Sequence, residues 1–486
     1  MHSMYSMHPM HTLAILAAIP VILLTCSLSV VDSRLTGRLM TVLTWAQVAV
    51  VAALMFPLLH HDCTLLMISP GLSLNRVSAC FLLLTNIVIA GATTQAAFFF
   101  EREQQLDAEV EPQHIKLLYA ASAILLLDMS LVFMCNNLGF LWITVESSTL
   151  FSAPLVYFQR TKNALEATWK YLIICSVAIA FALLGTIFIF ASSQHGAGTT
   201  GSLNLSVLTA EAPRLHYALL RLGFIFCLLG YGTKAGIFPL HSWLPDAHSQ
   251  APAPYSAVLS GALLNVALYA VWKVVQVVLA SGHTNLVYLM AGGLGTITIV
   301  AASLFLIRQK DFKRLWAYSS MENTGIMMVA IGLGSASLFL LQAVNHSLAK
   351  TAAFLLAGNI TQAAGTKNLH GIRGVMRAAP LWAVLLTLTT FAVTGAPPFG
   401  AFLSETAILV SAADTQHWIS AIVLVLAITL CFIAVCLHVG RVIFGTPTKR
   451  FVPYRPLSTS VVPAILILGC LILGVSFNCA FRRFMQ

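Results

Sequence analysis

Residues 168–191 read TWKYLIICSVAIAFALLGTIFIFA, an apolar run with a single charged residue, Lys170. A helix of about 20 apolar residues crosses the hydrocarbon core of a bilayer. Runs of this kind recur along the sequence, which is 58% hydrophobic and 9% charged, whereas about a quarter of the residues of a soluble domain are charged. The sequence therefore predicts an all-α polytopic membrane protein, folded as a single membrane domain over residues 1–486.

About 14 such intervals can be drawn along the chain, and their grouping predicts its organisation. They lie near 12–31, 39–59, 78–99, 115–135, 138–158, 168–191, 216–241, 252–280, 285–307, 312–333, 336–358, 378–411, 417–440 and 459–480. They form three N-terminal helices in 1–114, a group of five in 115–280, a second group of five in 285–440 and a last helix at 459–480. Loops after odd-numbered intervals are the more basic ones, as at Arg34, Arg308 and Arg441. The positive-inside rule then predicts a cell (inner) membrane protein with both termini on the outer face.

Two of the intervals are interrupted by glycine and proline. The first interruption contains Lys234, Gly236 and Pro239 and is followed by His241 and His248. The second contains Gly395, Pro397, Pro398 and Gly400, with Glu405 just beyond it. Broken helices at corresponding places in two groups of five predict inverted repeats, because an odd number of crossings reverses the chain direction. The alternative is two proline kinks without internal symmetry.

Ionisable side chains inside the apolar intervals indicate function, because a charge at the centre of a bilayer costs about 2.5–3.5 kcal/mol even on lenient scales. Those well inside are Asp128, Glu146, Lys234, Lys350 and Glu405, with His346 one turn before Lys350. A series of both signs beside two breaks favours a proton relay over static ion pairs. Sodium conduction has less support, because the sequence contains no obvious oxygen cage. The hydroxyls of residues 147–149 beside Glu146 keep that alternative open.

Glu146 and Lys234 are predicted to form a buried ion pair in which each charge compensates the other. His346 and Lys350 are four residues apart and share one helix face. A different role is expected for Lys273, which together with Arg221 is assigned to the end of an interval, where a long side chain can reach water.

Glu166 and Lys170 are also four residues apart, near the start of an interval. They are either a surface pair or a proton entrance. Asp246 and His248, after the first break, are expected to stabilise a loop rather than to take part in chemistry.

No metal or redox cofactor is expected in this chain. Its ten cysteines lie singly, mostly inside apolar intervals, and no C-x-x-C pair occurs. Iron–sulfur and structural zinc sites use clustered cysteines, so these thiols are better interpreted as small buried side chains.

Four stretches carry a specific resemblance to a known family. They are GTKAGIFPLHSWLPDAH at 232–248, LWAYSS at 315–320, NHSLAK at 345–350 and GAPP at 395–398, the last leading to Glu405. Over residues 115–445 the chain resembles the proton-translocating antiporter-like subunits, which include membrane-arm subunits of respiratory complex I, Mrp-type sodium/proton antiporters and membrane subunits of group 4 [NiFe] hydrogenases. Within this family it is most similar to hydrogenase-4 component F, on ESST at 146–149, EATWKYLIIC at 166–175 and Asn265.

The resemblance implies roles for several residues. Glu146 and Lys234 would be a coupling pair, Lys350 a central relay and Glu405 an exit. Complex I relatives usually place lysine or histidine at the position of Asn265, and a neutral amide there implies relay through held water. Asp128 matches no position of the family.

The implied function is that of a subunit that is not catalytic by itself and moves protons in a redox-driven oxidoreductase complex of the hydrogenase-4, formate hydrogenlyase or complex I type. The resemblance places [NiFe] and iron–sulfur centres in a peripheral partner arm, beside other membrane subunits. Two alternatives stay open: a stand-alone or Mrp-type sodium/proton antiporter subunit, and a membrane anchor with a vestigial relay.

Overall fold

The computed structural model describes residues 9–30, 32–60, 65–69, 71–106, 111–197, 201–446 and 451–485. Of these described residues, 84% are helical. Within the described ranges, eight helices are long and apolar enough to cross a membrane. A helical, multi-pass membrane protein, as the sequence predicts, is confirmed.

The elements up to the first break follow in chain order. They are α1 (Pro9–Ser29), α2 (Ser33–His60), β1 (Leu65–Ser69), β2 (Leu72–Asn75), α3 (Arg76–Leu106), α4 (Pro112–Met134), α5 (Leu138–Val156), α6 (Lys162–Ala197), α7 (Leu205–Ala210), a 3-10 turn (Ala212–Arg214) and α8 (Tyr217–Lys234).

The remaining elements continue in the same order. They are α9 (Trp243–Gln250), α10 (Ala253–Val258) joined through a π-helical turn (Leu259–Leu263) to α11 (Leu264–Ala280), α12 (Thr284–Val287) joined through a second π-helical turn (Tyr288–Gly292) to α13 (Gly293–Ile307), α14 (Phe312–Gly332), α15 (Ala336–Ala364), a 3-10 turn (Leu369–Gly371), α16 (Val375–Ala378), α17 (Pro380–Val393), α18 (Gly400–Asp414), α19 (Trp418–Ile443), a 3-10 turn (Ser458–Ser460) and α20 (Val461–Met485).

These elements form two compact units. The first unit comprises the described residues of Met1–Phe158, Leu172–Lys234 and Asn265–His283, and the second those of Gln159–Tyr171, Ala235–Leu264 and Thr284–Gln486.

The first unit contains a small hairpin that the all-α prediction lacks. β1 and β2 pair antiparallel, with Leu65 opposite Asn75 and Leu66 opposite Leu74. β1 (LLMIS) does not alternate apolar and polar residues, and β2 (LSLN) has only four residues, the shortest run to which the alternating pattern of strand prediction applies.

A similar helix start occurs once in each unit. In the first unit, the Asn137 side chain accepts hydrogen bonds from the first turn of α5, and its backbone forms an isolated bridge with Asn204. In the second unit, the Asp311 side chain caps α14 in the same way, and its backbone bridges Asn368. A side-chain oxygen at this position satisfies backbone N–H groups that have no partner inside the helix.

Both predicted interruptions are present as non-helical segments. α8 ends at Lys234, and helix resumes at Trp243 after Gly236, which has a φ of +77°, and a cis Phe238–Pro239 peptide bond. α17 ends at Val393, and helix resumes at Gly400 after Gly395, which has a φ of +65°, and a cis Pro397–Pro398 bond. Glycine permits the left-handed backbone conformation that turns the chain at each break.

The core of the second unit surrounds α14, whose residues are almost all buried. α13 approaches it closely, because a side chain at Gly295 would lie 2.6 Å from the carbonyl oxygen of Gly325. Small residues allow such close helix packing. Polar groups on α14 are therefore enclosed by neighbouring helices.

Candidate proton-carrying sites

Lys234, the last residue of α8, is fully buried in the first unit. Its Nζ donates to the carbonyl oxygen of Val145, to Ser148 Oγ at 2.6 Å and to Thr149 Oγ1 at 2.6 Å. The three acceptors lie on one face of α5, because their spacing is i, i+3 and i+4. An ammonium has three N–H donors, so this face satisfies all of them.

The predicted direct ion pair between Lys234 and Glu146 is not formed. In the described part of the chain, no nitrogen–oxygen distance of 4 Å or less joins the two side chains. Glu146 follows Val145 around the helix, and its Oε1 accepts from Ser176 Oγ on α6 at 2.9 Å. The carboxylate still acts electrostatically on the ammonium. The hydroxyls of α5, rather than the glutamate, supply the hydrogen bonds.

Asp128 on α4 joins this site, although its role could not be assigned from the sequence. It is 7% exposed, and Ser147 Oγ donates to its Oδ1. Across the described residues, neither Oδ2 of Asp128 nor Oε2 of Glu146 has a hydrogen-bond partner. A carboxyl oxygen of this kind can take up a proton without breaking an existing bond. The first unit therefore joins one lysine to two such acids.

Two further residues of the first unit lie on α11. Lys273, expected to reach water, is 6% exposed, and its Nζ lies 5.1 Å from the centre of the Tyr269 ring. The expectation was wrong because the side chain packs against this ring inside the unit, although α11 ends at Ala280 as the sequence predicts. Asn265 is fully buried near the start of the same helix.

Lys350, in the middle of α15, is fully buried in the second unit. Its Nζ donates to the carbonyl oxygen of Trp316 at 3.4 Å and lies 5.5 Å from the centre of the indole ring. A desolvated cation over an aromatic face gains about 2 kcal/mol or more. An aromatic ring and a carbonyl thus take the place that hydroxyls occupy around Lys234.

Glu322 on α14 is a buried acid that the sequence analysis missed. It is 2% exposed, is hydrogen-bonded with Cys431, accepts from Ser319 Oγ at 3.4 Å and acts electrostatically on Lys350. Its sequence signal is the polar run SSMENT at 319–324, in the middle of an apolar interval.

A network of amides connects α14 with Glu405 on α18. Gln342 Nε2 donates to Asn323 Oδ1 at 2.9 Å, and Gln342 Oε1 accepts from Ser404 Oγ. Glu405, which is 7% exposed, is hydrogen-bonded with Gln342. The network therefore touches residues next to Glu322 on one side and Glu405 on the other.

Three histidines of the second unit are buried with few polar contacts. His346, one turn before Lys350, has Nε2 3.2 Å from the carbonyl oxygen of Ser260. His248 stacks on the ring of Phe354, and His241 stacks on that of Phe238. Of these three, His346 lies on the helix that carries the buried lysine.

Lys170 lies elsewhere, in an exposed ion cluster of the second unit. Its Nζ is 2.6 Å from Glu166 and 3.1 Å from Asp246, which Arg314 also contacts. The Lys170 side chain is 44% exposed. The structure therefore does not bring Lys170 together with the buried lysine of the same unit.

The chain matches a family model described as NADH:quinone oxidoreductase/Mrp antiporter, transmembrane, over residues 135–431. The match covers more than half of the chain and includes Lys234, Lys350, Glu146, Glu322 and Glu405. The chain belongs to this family. Asp128 lies before the matched residues.

Similar proteins agree with the predicted resemblance. A hydrogenase-4 component F homolog of Methylacidiphilum infernorum is 37% identical, over 79% of this chain and 81% of the relative. An NADH-quinone oxidoreductase membrane subunit of Desulforudis audaxviator is 28% identical, over 72% and 71%. A Na(+)/H(+) antiporter subunit of Alkalihalophilus pseudofirmus is 26% identical, over 70% and 67%. The predicted family is confirmed.

Solved structures share the fold. A chain of an archaeal membrane-bound sulfane sulfur reductase superposes with a TM-score of 0.83 at 23% identity, covering 97% of this chain and 96% of the other. A chain of Thermus thermophilus complex I gives 0.79 at 22%, covering 97% and 98%. A chain of the Mrp complex from Dietzia sp. gives 0.81 at 18%, covering 98% and 96%.

Proposed function

We propose that this chain translocates protons as an antiporter-like membrane subunit of a redox-driven complex of the hydrogenase-4, formate hydrogenlyase or complex I type. One observation carries the proposal: each unit holds a fully buried lysine, Lys234 or Lys350, on which buried or half-buried carboxylates act electrostatically. An intramembrane charge of this kind is retained at a cost of about 2.5–3.5 kcal/mol. Proton transfer explains that cost, since a lysine can be reprotonated from a neighbouring acid.

The free energy needed to move a proton across the membrane is similar in size to the change in proton affinity that a buried lysine can undergo. A proton moved against about 200 mV costs about 4.6 kcal/mol. A buried lysine that changes its surroundings and charge partners changes its proton affinity by up to about 4–7 kcal/mol. One lysine that changes partners once per cycle can therefore drive one proton.

We assign the steps in the first unit to Glu146, Asp128 and Lys234. Glu146 and Asp128 hold protons on the carboxyl oxygens that lack a partner among the described residues, and Lys234 accepts one of these protons in the part of the cycle in which it is a neutral amine. Asn265 carries no charge and can only orient water, so hydration would do the relaying there. Lys170, with Glu166, is proposed as an entrance because it is solvent-exposed.

In the second unit, Lys350 is the central carrier and His346 lies one turn away on its helix. Glu322 is its acidic neighbour, and Glu405 is the exit, connected to α14 through Gln342. A neutral amide can donate and accept at once, which suits a relay of hydrogen bonds. His241 is kept as a secondary candidate next to the first break.

The proposal includes an organisation of about 14 spans with inverted five-helix repeats at 115–280 and 285–440. Support comes from the shared helix start of α5 and α14 and from the spacing of the two breaks. In each break a proline follows the left-handed glycine by three residues, Gly236 to Pro239 and Gly395 to Pro398. Corresponding breaks are typical of inverted repeats. Both termini would then face outward from the cell (inner) membrane.

The electron carriers are proposed to lie in partner subunits. The chain would assemble with other membrane subunits and with a peripheral arm that carries [NiFe] and iron–sulfur centres. This proposal rests on the 37% identity to a hydrogenase-4 component F homolog. On its own the chain would catalyse no redox reaction.

A sodium/proton antiporter subunit is the second candidate. It is favoured by the 26% identity to a Na(+)/H(+) antiporter subunit. The geometry around Lys234 argues against a sodium site there, because Ser148, Thr149 and the Val145 carbonyl already bind an ammonium. A sodium ion could bind to these three oxygens only if it displaced the Lys234 ammonium.

Purification of the chain from its native membrane tests the two candidates. We expect co-purification of a [NiFe]-type large subunit and iron–sulfur subunits, and acidification of proteoliposomes that depends on electron transfer. Co-purification with antiporter subunits alone, together with sodium flux driven by a pH gradient, would support the second candidate. Absence of any ion flux would leave a membrane anchor.

A further inference from the structure

A basic cavity of about 260 Å³ lies in the second unit where α13 and α19 end. Its polar lining comes from three separate segments: the residues after α13, the 3-10 turn that follows α15, and the last turns of α19. The basic and imidazole side chains are Arg308, Lys310, His370, Arg373, His438 and Arg441. No acidic residue lines the cavity as described.

Among the described residues of the second unit, no ion pair neutralises the positive charge of this cavity. None of the described ion pairs involves Arg308, Lys310, Arg373 or Arg441. The neighbouring acid, Asp311, accepts two backbone N–H groups at the start of α14 and a hydroxyl from Ser249. Four uncompensated cations in one concavity therefore call for an anion from outside the chain.

Helix-end effects explain the position of these residues only in part. A basic side chain near a helix C-terminus gains about 0.3–1 kcal/mol from the helix dipole, and it can also extend toward water. That accounts for Arg308 and Arg441. It does not account for Arg373, which lies outside any helix and lines the same cavity.

Each of the two helices α13 and α19 carries a row of exposed apolar side chains that ends at an arginine of the cavity. On α13, Val300, Leu304 and Arg308 follow one another at a spacing of four residues. The side chains of Val300 and Leu304 are 36% and 57% exposed. Residues four apart occupy one helix face.

The same arrangement is present on α19. Ile433 and Leu437 are 48% and 57% exposed, and they precede Arg441 at the same spacing. Each of the two rows of exposed apolar side chains therefore ends at an arginine that lines the cavity, which suits an amphiphile with two acyl chains and an anionic head.

We infer that this cavity is a binding site for an anionic diacyl phospholipid, with the phosphate among Arg308, Arg373 and Arg441 and the acyl chains along the exposed faces of α13 and α19. Basic pockets between membrane helices bind acidic headgroups in this way. The cavity volume suits a glycerophosphate headgroup, since it is close to the lower end of the roughly 300–1,000 Å³ range of small-molecule sites. This site is separate from the proton carriers and does not depend on the proposed function.

Native mass spectrometry of the full-length chain with its co-purified subunits tests the inference. The preparation is delipidated and titrated with phosphatidylglycerol or with phosphatidylcholine of the same acyl chains. We expect at least one tightly held phosphatidylglycerol in the wild type. Removing three arginines should weaken it about 100-fold, at about fivefold for each basic residue near the phosphate.

The pocket variant is Arg308→Gln with Arg373→Gln and Arg441→Gln, and Arg373→Gln alone serves if the triple variant does not fold. The matched control is Arg34→Gln with Arg38→Gln, two exposed arginines outside the cavity, which should leave the tight binding unchanged. Equal binding by pocket variant and wild type would overturn the site. Equal affinity for phosphatidylcholine, or full competition by sn-glycerol 3-phosphate, would overturn an anionic lipid as its ligand.

Discussion

Lys234 and Lys350, the lysines with no exposed surface among the described residues, are held by different chemistry within similar helical frames. Lys234 donates to two hydroxyls and a carbonyl of α5, whereas Lys350 has a carbonyl and the indole ring of Trp316 on α14. The two helices start with the same kind of cap. The frame therefore sets where a cation can be buried, and the residues on the facing helix decide how firmly its proton is held.

The difference in hydrogen bonding predicts different roles for Lys234 and Lys350 in proton transfer. Hydrogen bonds to all three N–H groups favour the charged form of Lys234, so it suits a site that stores a proton. Lys350 has fewer hydrogen bonds to break, so it suits a site that passes a proton on. The predictions that follow test this contrast.

The largest effect is expected from removing the hydroxyls around Lys234. Ser148→Ala with Thr149→Val leaves one carbonyl for three N–H groups of a buried ammonium. Breaking a buried charged contact costs about 3–5 kcal/mol, so the melting temperature in detergent should fall steeply. The control is Ser303→Ala on α13 with Thr389→Val on α17, which removes two buried hydroxyls that bond only carbonyls of their own helices. A control drop as large as that of the variant would show that the hydroxyls act only through packing.

A smaller effect is expected from the indole ring beside Lys350. Trp316→Leu should cost about 2 kcal/mol more than Trp382→Leu, because Trp316 faces a lysine and Trp382 does not. Both side chains are buried, and neither indole N–H has a hydrogen-bond partner among the described residues. Both variants lose similar aromatic volume, so the comparison isolates the cation–ring contact. Equal losses of stability in urea or thermal unfolding would remove the ring from the account.

The coupling between Glu146 and Lys234 should be smaller still. A double-mutant cycle with Glu146→Gln and Lys234→Met, measured on melting temperature, should give about 1 kcal/mol, since the charges interact without a hydrogen bond. The same cycle with the exposed Glu166 in place of Glu146 should give none, because solvent screens it. A coupling of about 3 kcal/mol or more would mean that a direct pair forms after all.

The smallest expected effect is that of sodium. At fixed pH and ionic strength, replacing sodium by potassium should leave proton translocation unchanged, because an ammonium occupies the oxygens of α5. A saturable sodium dependence in the millimolar range would instead favour the antiporter candidate.

Much of this site could be predicted from the sequence. Lys234, Lys350 and Glu405 stood out because a charge inside an apolar run is costly, and the Gly/Pro breaks marked where the helices end. The partner of Glu146 could not be predicted correctly, because the spacing of residues along the chain predicts a helix but not which of its faces contacts a neighbouring helix. Side-chain direction requires the packing of α5 against α8 and α6.

Three other differences between the sequence-based predictions and the structure have separate causes. Glu322 lies in a polar run inside an apolar interval, which is a sequence signal for a buried acid. Lys273 was misjudged because its distance from the end of the interval, which the structure places at Ala280 as predicted, does not show whether neighbouring helices enclose its side chain. Asp128 needed the structure, since only the contact with Ser147 shows which site it belongs to.

The central claim is that the buried lysines carry the transported protons, and proton translocation by lysine variants tests it most directly. Lys234→Met and Lys350→Met are each reconstituted with their native partner subunits, and electron transfer to an artificial acceptor is measured in parallel. We predict that each variant retains electron transfer and loses proton translocation by about tenfold or more, because methionine keeps the length of the side chain but cannot bind a proton. Undiminished translocation in either variant would contradict the account for that lysine.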